Sequence, residues 1–334
     1  MTASDNGLDL DAATLPDAWS VLLPSRAYLI SAREQTLPAR QAALDDANAH
    51  FDEAAASGDA DRRDMALLGL VGDAMQILED VGYFGTAYGS PLGGMPHYVT
   101  ATIFNDRTPN NFYSQIKKRT DEQLKVLAGL WLRDPNTGAQ FPIHEAFKLE
   151  GQLDDDDLAA LMEAENATVK LLRPYLLALA HAWAQFRRYF HAFKHGALVI
   201  SRDDFSVVDA GGSQQSASLQ VWLRRGGDGT GWGDTALTPQ QVRNEVRRTG
   251  QLALDVFAYL IDSRLVSLDL VEFDDDGQIL QLLQPRSLWQ FWFHEADVSS
   301  SARHRLGERF GIEFVEYRAR DLLSGARTRS RTVR

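Results

Sequence analysis

The chain has 334 residues, 46 acidic against 34 basic side chains, a formal charge of −12 and no cysteine. That length allows two domains or one elaborate one, and 44% hydrophobic residues supply material for a large core. The lack of cysteine excludes disulfides, thiolate zinc sites, iron–sulfur clusters and a cysteine nucleophile within this chain. Apolar stretches such as Leu176 to Ala180 are broken by His or Arg well short of the ~18 residues of a membrane span. The first residues carry Asp5, Asp9 and Asp11 without an early Lys or Arg, unlike a secretory signal. The expectation is a cytoplasmic protein that does not enter a membrane.

Residues 1–14 are polar, acidic and aperiodic, and read as disordered. A short amphipathic segment at Ala18–Ser31 is interrupted by Pro24, and an Ala-rich helix over 38–56 ends at Ser57-Gly58. The first core helix spans about 61–84. Its apolar positions Leu67, Val71, Ala74, Leu78 and Val81 step by four and three, giving one continuous stripe. Glycines 69, 72, 82 and 85 weaken it by about 1 kcal/mol each relative to Ala and permit close approach of other helices. Residues 89–96 are a loop by composition, and His97–Phe104 fits either a strand or a helical turn.

Thr108-Pro109 is a helix start, since Thr can cap and Pro gives up an N–H that lacks a partner there. The spacing predicts one helix over 109–132, with Tyr113, Ile116, Leu124, Leu127 and Trp131 on one face, stopping before the turn 134–138. The longest helical region is about 155–194. The run Asp154 to Asp157 opens it as a solvated acidic entrance, and Pro174 should kink or divide it. Beyond Pro174 the stripe Leu176, Leu179, Trp183, Phe186, Phe190, Phe193 makes a seam facing the core or a partner.

After Gly196 the period changes. Ala197–Ser201 and Phe205–Val208 read as a β-hairpin and Ser218–Leu223 as a third strand. The glycine clusters at 211–212 and 226–231 lack the Lys-Ser/Thr of a phosphate loop and read as turns. Thr238-Pro239 opens another helix, through Val242, Val246, Ala253, Phe257 and Leu260 to about Ser263, with Gln241 placed as in a capping box. Val266–Phe273 and Ile279–Leu283 form a further hairpin about Asp274–Gly277. Trp289, Phe291, Trp292 and Phe293 fit a core or an interface, and Ile312–Tyr317 a last strand. The fold class is mainly α, a helical bundle with a small β insertion after the long helix and a mixed α/β C-terminal part. The partition is a disordered 1–14, a helical body at 15–264 with its β insertion at about 197–224, the mixed part at 265–325, and a basic tail at 326–334.

Chemistry concentrates at 181–195. On a helix of 100° per residue, Trp183 and Phe190 define the apolar face. His181, Gln185, Arg188 and His195 project from nearly the opposite side. Arg188 and His195, two turns apart, can converge on one phosphate. Arg188-x6-His195 resembles the Arg-x4–6-His pattern of the HEPN (higher eukaryote and prokaryote nucleotide-binding) superfamily. Lys194-His195-Gly196 at the end of a long helix is similar to some bacterial members, and the wider likeness covers about 61–196. The resemblance implies a metal-independent ribonuclease or an inactive RNA-binding relative, acting in bacterial defence or toxin–antitoxin systems. It also implies a homodimer, with the site composed across the twofold. Arg188 would then stabilise phosphate charge and His195 would move a proton at the ribose 2′-oxygen. Arg187, His191, Lys194, Gln185 and His181 would bind substrate, and no cofactor or metal is expected. Tyr189 departs from the polar residue that often follows that Arg.

Other readings of the same residues stand beside this one. Arg188 and His195 fit a solvated face, or a structural role at a helix–hairpin junction that holds Lys194 together with Asp203 or Asp204. His191 and His195, four apart, suit two metal ligands, with Asp203 or Glu165 as a third, but the Glu of a His-Glu-x-x-His zinc protease is absent. No Gly-x-Ser-x-Gly elbow is present. A charge of −12 repels polyanions overall, so RNA would need a local patch. Arg187, Arg188 and Lys194 are one candidate, Arg243, Arg247 and Arg248 another, and the Arg-rich tail a third. The alternative function is a non-catalytic helical module that binds a protein partner through the 176–193 seam or the aromatic C-terminal part.

Overall fold

In a computed structural model of the chain, the described residues are 28–88, 108–133, 140–142, 144, 154–194 and 239–273. To these are added 199–200, 206–208, 214–216, 219–225, 229–235, 279–282, 289–293, 304, 308 and 312–316. The expectations for 1–14, the 89–96 loop, the 97–104 segment, the 134–138 turn, most of the 197–208 hairpin and the basic tail lie outside them, as does His195.

The architecture is mainly α. A helical turn at 28–31 passes into a π-helical turn, Ala32–Thr36, and directly into α1, Leu37–Ser57. Gly58 ends α1 at φ 73°, a left-handed conformation that costs glycine nothing. The Asp59 carboxylate then accepts from the backbone N–H of Arg62 at 3.0 Å, capping α2, Ala60–Tyr88. The remaining helices are α3, Thr108–Gln115, α4, Asp121–Leu127, α5, Asp155–Lys194, and α6, Pro239–Leu270. Helix α2 is the hub, packing on α1, α3, α5 and α6, while α5 also meets α4 and α6. The apolar stripes meet there. Leu67, Val71, Ala74, Leu78 and Val81 of α2 are buried with Leu176, Leu179, Trp183, Phe186 and Phe190 of α5 and Val242, Val246, Phe257 and Leu260 of α6. Short paired segments are recorded outside the helices, Trp131–Arg133 against Gln140–Pro142 and Leu219–Arg225 against Gly229–Thr235 among them. Among the described residues no helix is long and apolar enough to cross a membrane.

Four expectations are corrected. The helix read over 109–132 is two helices joined by a 3-10 turn, Ile116–Lys118, with Arg119 extended at ψ 132°. Thr120 restarts it through a capping box with Gln123, whose backbone N–H reaches the Thr120 hydroxyl at 3.3 Å while Thr120 N–H reaches the Gln123 side chain at 3.1 Å. Two reciprocal bonds satisfy orphan donors that a continuous helix would not have exposed. Helix α5 runs undivided across Pro174. Leu172, Tyr175 and Leu176 are buried around it, so packing offsets the roughly 3 kcal/mol a helical proline costs. The acidic entrance is not wholly solvated, because Asp157 is 1% exposed and its N–H is capped by Asp154 at 2.8 Å. Finally, α6 continues to Leu270, so 266–270 are helical and only Val271–Phe273 is strand.

Two of the α2 glycines act as the sequence suggested. A Cβ on Gly82 would lie 2.9 Å from the Pro109 Cα, and one on Gly85 would overlap the Phe112 ring. Gly69 faces open space. Gly85→Ala should therefore cost about 1–3 kcal/mol through overpacking, whereas Gly69→Ala should be neutral or stabilising by up to about 1 kcal/mol. Urea melts of the two variants side by side check this, and equal stabilities would mean that α3 does not seat on α2 at Gly85.

Candidate functional site

The residues singled out at the end of α5 separate into two groups, and helix geometry explains why. Taking Trp183 as reference and 100° per residue, Lys194, Arg187 and His191 fall about 20°, 40° and 80° around the helix. Arg188, His181 and Gln185 fall about 140° to 200° away. The first group is tied to the packed side, although Arg187 and Lys194 remain exposed. Lys194 Nζ sits 3.0 and 3.2 Å from the two Glu79 carboxylate oxygens and over the Phe190 ring at 5.4 Å. Arg187 donates to Asn110 Oδ1 at 2.8 Å, the oxygen that also accepts from the Trp183 indole at 2.9 Å. The His191 ring meets Trp183 edge-on at 6.0 Å.

The second group faces outward. His181 and Arg188 are exposed and Gln185 is half-buried. Arg188 lies over the Tyr189 ring at 5.1 Å, with its guanidinium 3.2 Å from the Tyr189 hydroxyl. Tyr189 itself is buried. Of the seven residues with which the sequence furnished one site, the six described ones thus fall in two groups around the helix.

The metal alternative that used Glu165 is corrected. Glu165 and His191 lie on one continuous helix, separated by roughly 39 Å at ~1.5 Å per residue. Glu165 is fully buried, with His144 Nδ1 at 3.0 Å and Lys125 Nζ at 3.4 Å. The basic set on α6 is also partly consumed. Arg243 binds both oxygens of Asp52 at 2.6 and 2.8 Å, and Arg248 pairs with Glu245 at 2.7 Å.

Lys194 leads into a feature that the sequence reading missed. A pocket of about 350 Å³ opens beside it, lined by Tyr28, Thr36, Arg40, Asp80 and Phe257 among others. Its charges form a chain across three helices. Arg40 of α1 donates to Asp80 of α2 at 2.7 and 3.4 Å. The Gln76 amide nitrogen is 2.9 Å from Glu79 and 3.4 Å from Asp80, and Glu79 receives Lys194 of α5. The cations are the outer members: Lys194 and Arg40 side chains are 44% and 33% exposed, against 4% for Glu79 and 18% for Asp80. The signal available in the sequence was Gln76, Glu79 and Asp80, a polar patch at i, i+3 and i+4 on an otherwise apolar helix.

Burial pushes the Asp80 carboxyl above the ordinary carboxylate range, and the Arg40 and Gln76 bonds pull it back only in part. Burial, with Tyr88 and Asp80 nearby, likewise pushes the Tyr28 hydroxyl up, so it stays protonated. The folded state thus holds the Asp80 proton more tightly than the unfolded chain does. The stability this contributes is fully present below the unfolded value of about 3.9 and is lost as pH rises through the elevated folded value. A carbon-detected NMR titration should place the Asp80 midpoint above the ordinary aspartate value of about 3.9. A midpoint below it would mean that Arg40 outweighs burial.

Fold and site together define a mainly α-helical protein with a charge-rimmed pocket lined from α1, α2, α5 and α6. Compared with known proteins, the chain matches no family model, no curated protein and no solved structure.

Proposed function

We propose that the chain is a HEPN-like RNA-binding protein that cleaves RNA without metal, using Arg188 and His195 at the end of α5. The observation that carries this reading is the outward position of Arg188 on a helix whose opposite side is fixed in the core by Trp183, Phe186 and Phe190. A guanidinium mounted in that way can meet an RNA phosphate without unpacking the fold. On this reading His195, one residue beyond α5, would exchange the 2′-oxygen proton, while Gln185 and His181 would hold the substrate on the same side. Arg187, His191 and Lys194 would flank it. The proposal extends to a cytoplasmic homodimer with α5 near the twofold, in bacterial defence or toxin–antitoxin biology. It includes the β insertion at about 197–224 and a mixed α/β part at 265–325 packed on the helical body.

A second reading is favoured by a specific observation. Arg187 and Lys194 already donate to Asn110 and Glu79, which suits a non-catalytic helical module with a protein partner.

The test is cleavage of varied RNAs by clean wild-type protein, Arg188→Ala and His195→Ala, with EDTA throughout. The expected result is wild-type cleavage that survives EDTA and falls about 10²–10³-fold in each variant with the fold unchanged. Full cleavage by the double variant would end the ribonuclease assignment. Absence of both cleavage and RNA binding by wild type would leave the interaction module, and light scattering of a strict monomer would remove the composite site.

A further inference from the structure

We propose that the pocket between α1, α2 and the end of α5 binds a small aromatic carboxylate, held between Arg40 and Lys194. This goes beyond the RNA reading; the two share Lys194, but Arg188 does not line the pocket, so loss of benzoate binding and loss of RNA cleavage are separate outcomes.

The sign of the ligand follows from the exposure gradient. Each cation has its carboxylate behind it, Glu79 behind Lys194 and Asp80 behind Arg40, and the carboxylates are the deeper members of both pairs. A molecule entering the pocket therefore meets ammonium and guanidinium first. A cationic ligand would have to displace Lys194 or Arg40 from carboxylates whose oxygens are already engaged by Lys194, Arg40 and Gln76. An anion displaces nothing. The carboxylates hold both cations in place, so less ordering is left for binding to impose.

Donor capacity points the same way. Arg40 uses Nε and one terminal nitrogen on Asp80, leaving the other terminal nitrogen uncommitted. Lys194 has three N–H groups and directs them at two oxygens. Among the described residues the Tyr28 and Thr36 hydroxyls donate to nothing, and Thr36 makes no capping bond with its side chain. Four donor groups suit the two oxygens and about four lone-pair sites of one carboxylate. Phe257, 1% exposed, and the Tyr28 ring supply apolar wall for the body of the ligand. A volume of about 350 Å³, near the lower limit for small-molecule pockets, fits a single ring better than a long chain.

The test uses the full chain with benzoate as probe, titrated by calorimetry and by backbone-amide NMR. Benzamide, benzylamine and inorganic phosphate serve as neutral, cationic and ring-free comparators. Saturable benzoate binding with Kd of order 1 mM is expected, near ~0.5 kcal/mol per heavy atom, with at least tenfold weaker binding of each comparator. Tyr28→Phe and Thr36→Val each remove one donor without stranding a charge, and each should weaken benzoate by about 2- to 10-fold. Lys194→Met combined with Glu79→Leu removes a cation together with its counter-ion, which avoids leaving a buried charge unpaired, and should abolish binding while thermal unfolding stays cooperative. Should that double variant misfold, the two single-donor variants still decide. No saturable benzoate signal, benzylamine or phosphate binding as tightly as benzoate, or unchanged affinity in Tyr28→Phe and Thr36→Val would each overturn the assignment.

Discussion

Trp183→Ala should destabilise the protein by about 3–5 kcal/mol, the range for deleting a large aromatic from a packed core. The indole is 2% exposed and stacks on Tyr113 at 5.3 Å, with Phe190 and His191 edge-on at 6.4 and 6.0 Å. Its N–H also fastens α3 to α5 through Asn110. Trp183→Phe separates the two contributions. Asn110 Oδ1 keeps its bond from Arg187, so no buried acceptor is orphaned, and the loss should fall to about 1–2 kcal/mol, mostly volume. Guanidinium melts with unchanged m-values would measure both. A Trp183→Ala cost below about 1.5 kcal/mol would mean that the α3–α5 seam is not part of the cooperative core.

That seam was legible in the sequence because its signal is periodic. Leu176, Leu179, Trp183, Phe186 and Phe190 recur at three and four, and burial follows the recurrence. The same holds for Leu67 to Val81 on α2. What periodicity could not carry was the break at Arg119. The apolar positions Tyr113, Ile116, Leu124 and Leu127 are all buried, but they are spread over two helices and the 3-10 turn between them, and only the local Thr120–Gln123 capping chemistry marks the boundary. At Pro174 the helix is not divided, and packing on both sides holds it together across the proline. At the end of α5 the described candidate residues divide by rotation, Lys194 falling beside Trp183 while Arg188, His181 and Gln185 fall on the other side. The pocket was hidden because its charges come from residues as distant as Arg40, Asp80 and Lys194, and no local pattern encodes such a meeting.

Lys125→Met should cost about 3 kcal/mol, although it exchanges one unbranched side chain for another of similar length. The reason lies in its partner. Glu165 is wholly buried in α5 and has two polar neighbours, the Lys125 ammonium of α4 at 3.4 Å and the His144 ring at 3.0 Å. Removing Lys125 leaves a buried carboxylate supported by a single histidine contact, and stranding a buried charge is far costlier than losing an exposed pair. Lys125→Met combined with Glu165→Leu should recover most of the loss, because the charge is removed together with its counter-ion and His144, 16% exposed, can turn to water. The double variant should be more stable than Lys125→Met alone, a non-additivity of at least about 1.5 kcal/mol in a double-mutant cycle. Urea denaturation of the four proteins at one pH supplies the cycle. Additive costs would mean that Lys125 and Glu165 act independently, and that α4 is held against α5 by its other contacts, the Arg173–Asp121 pair at 2.6 Å among them.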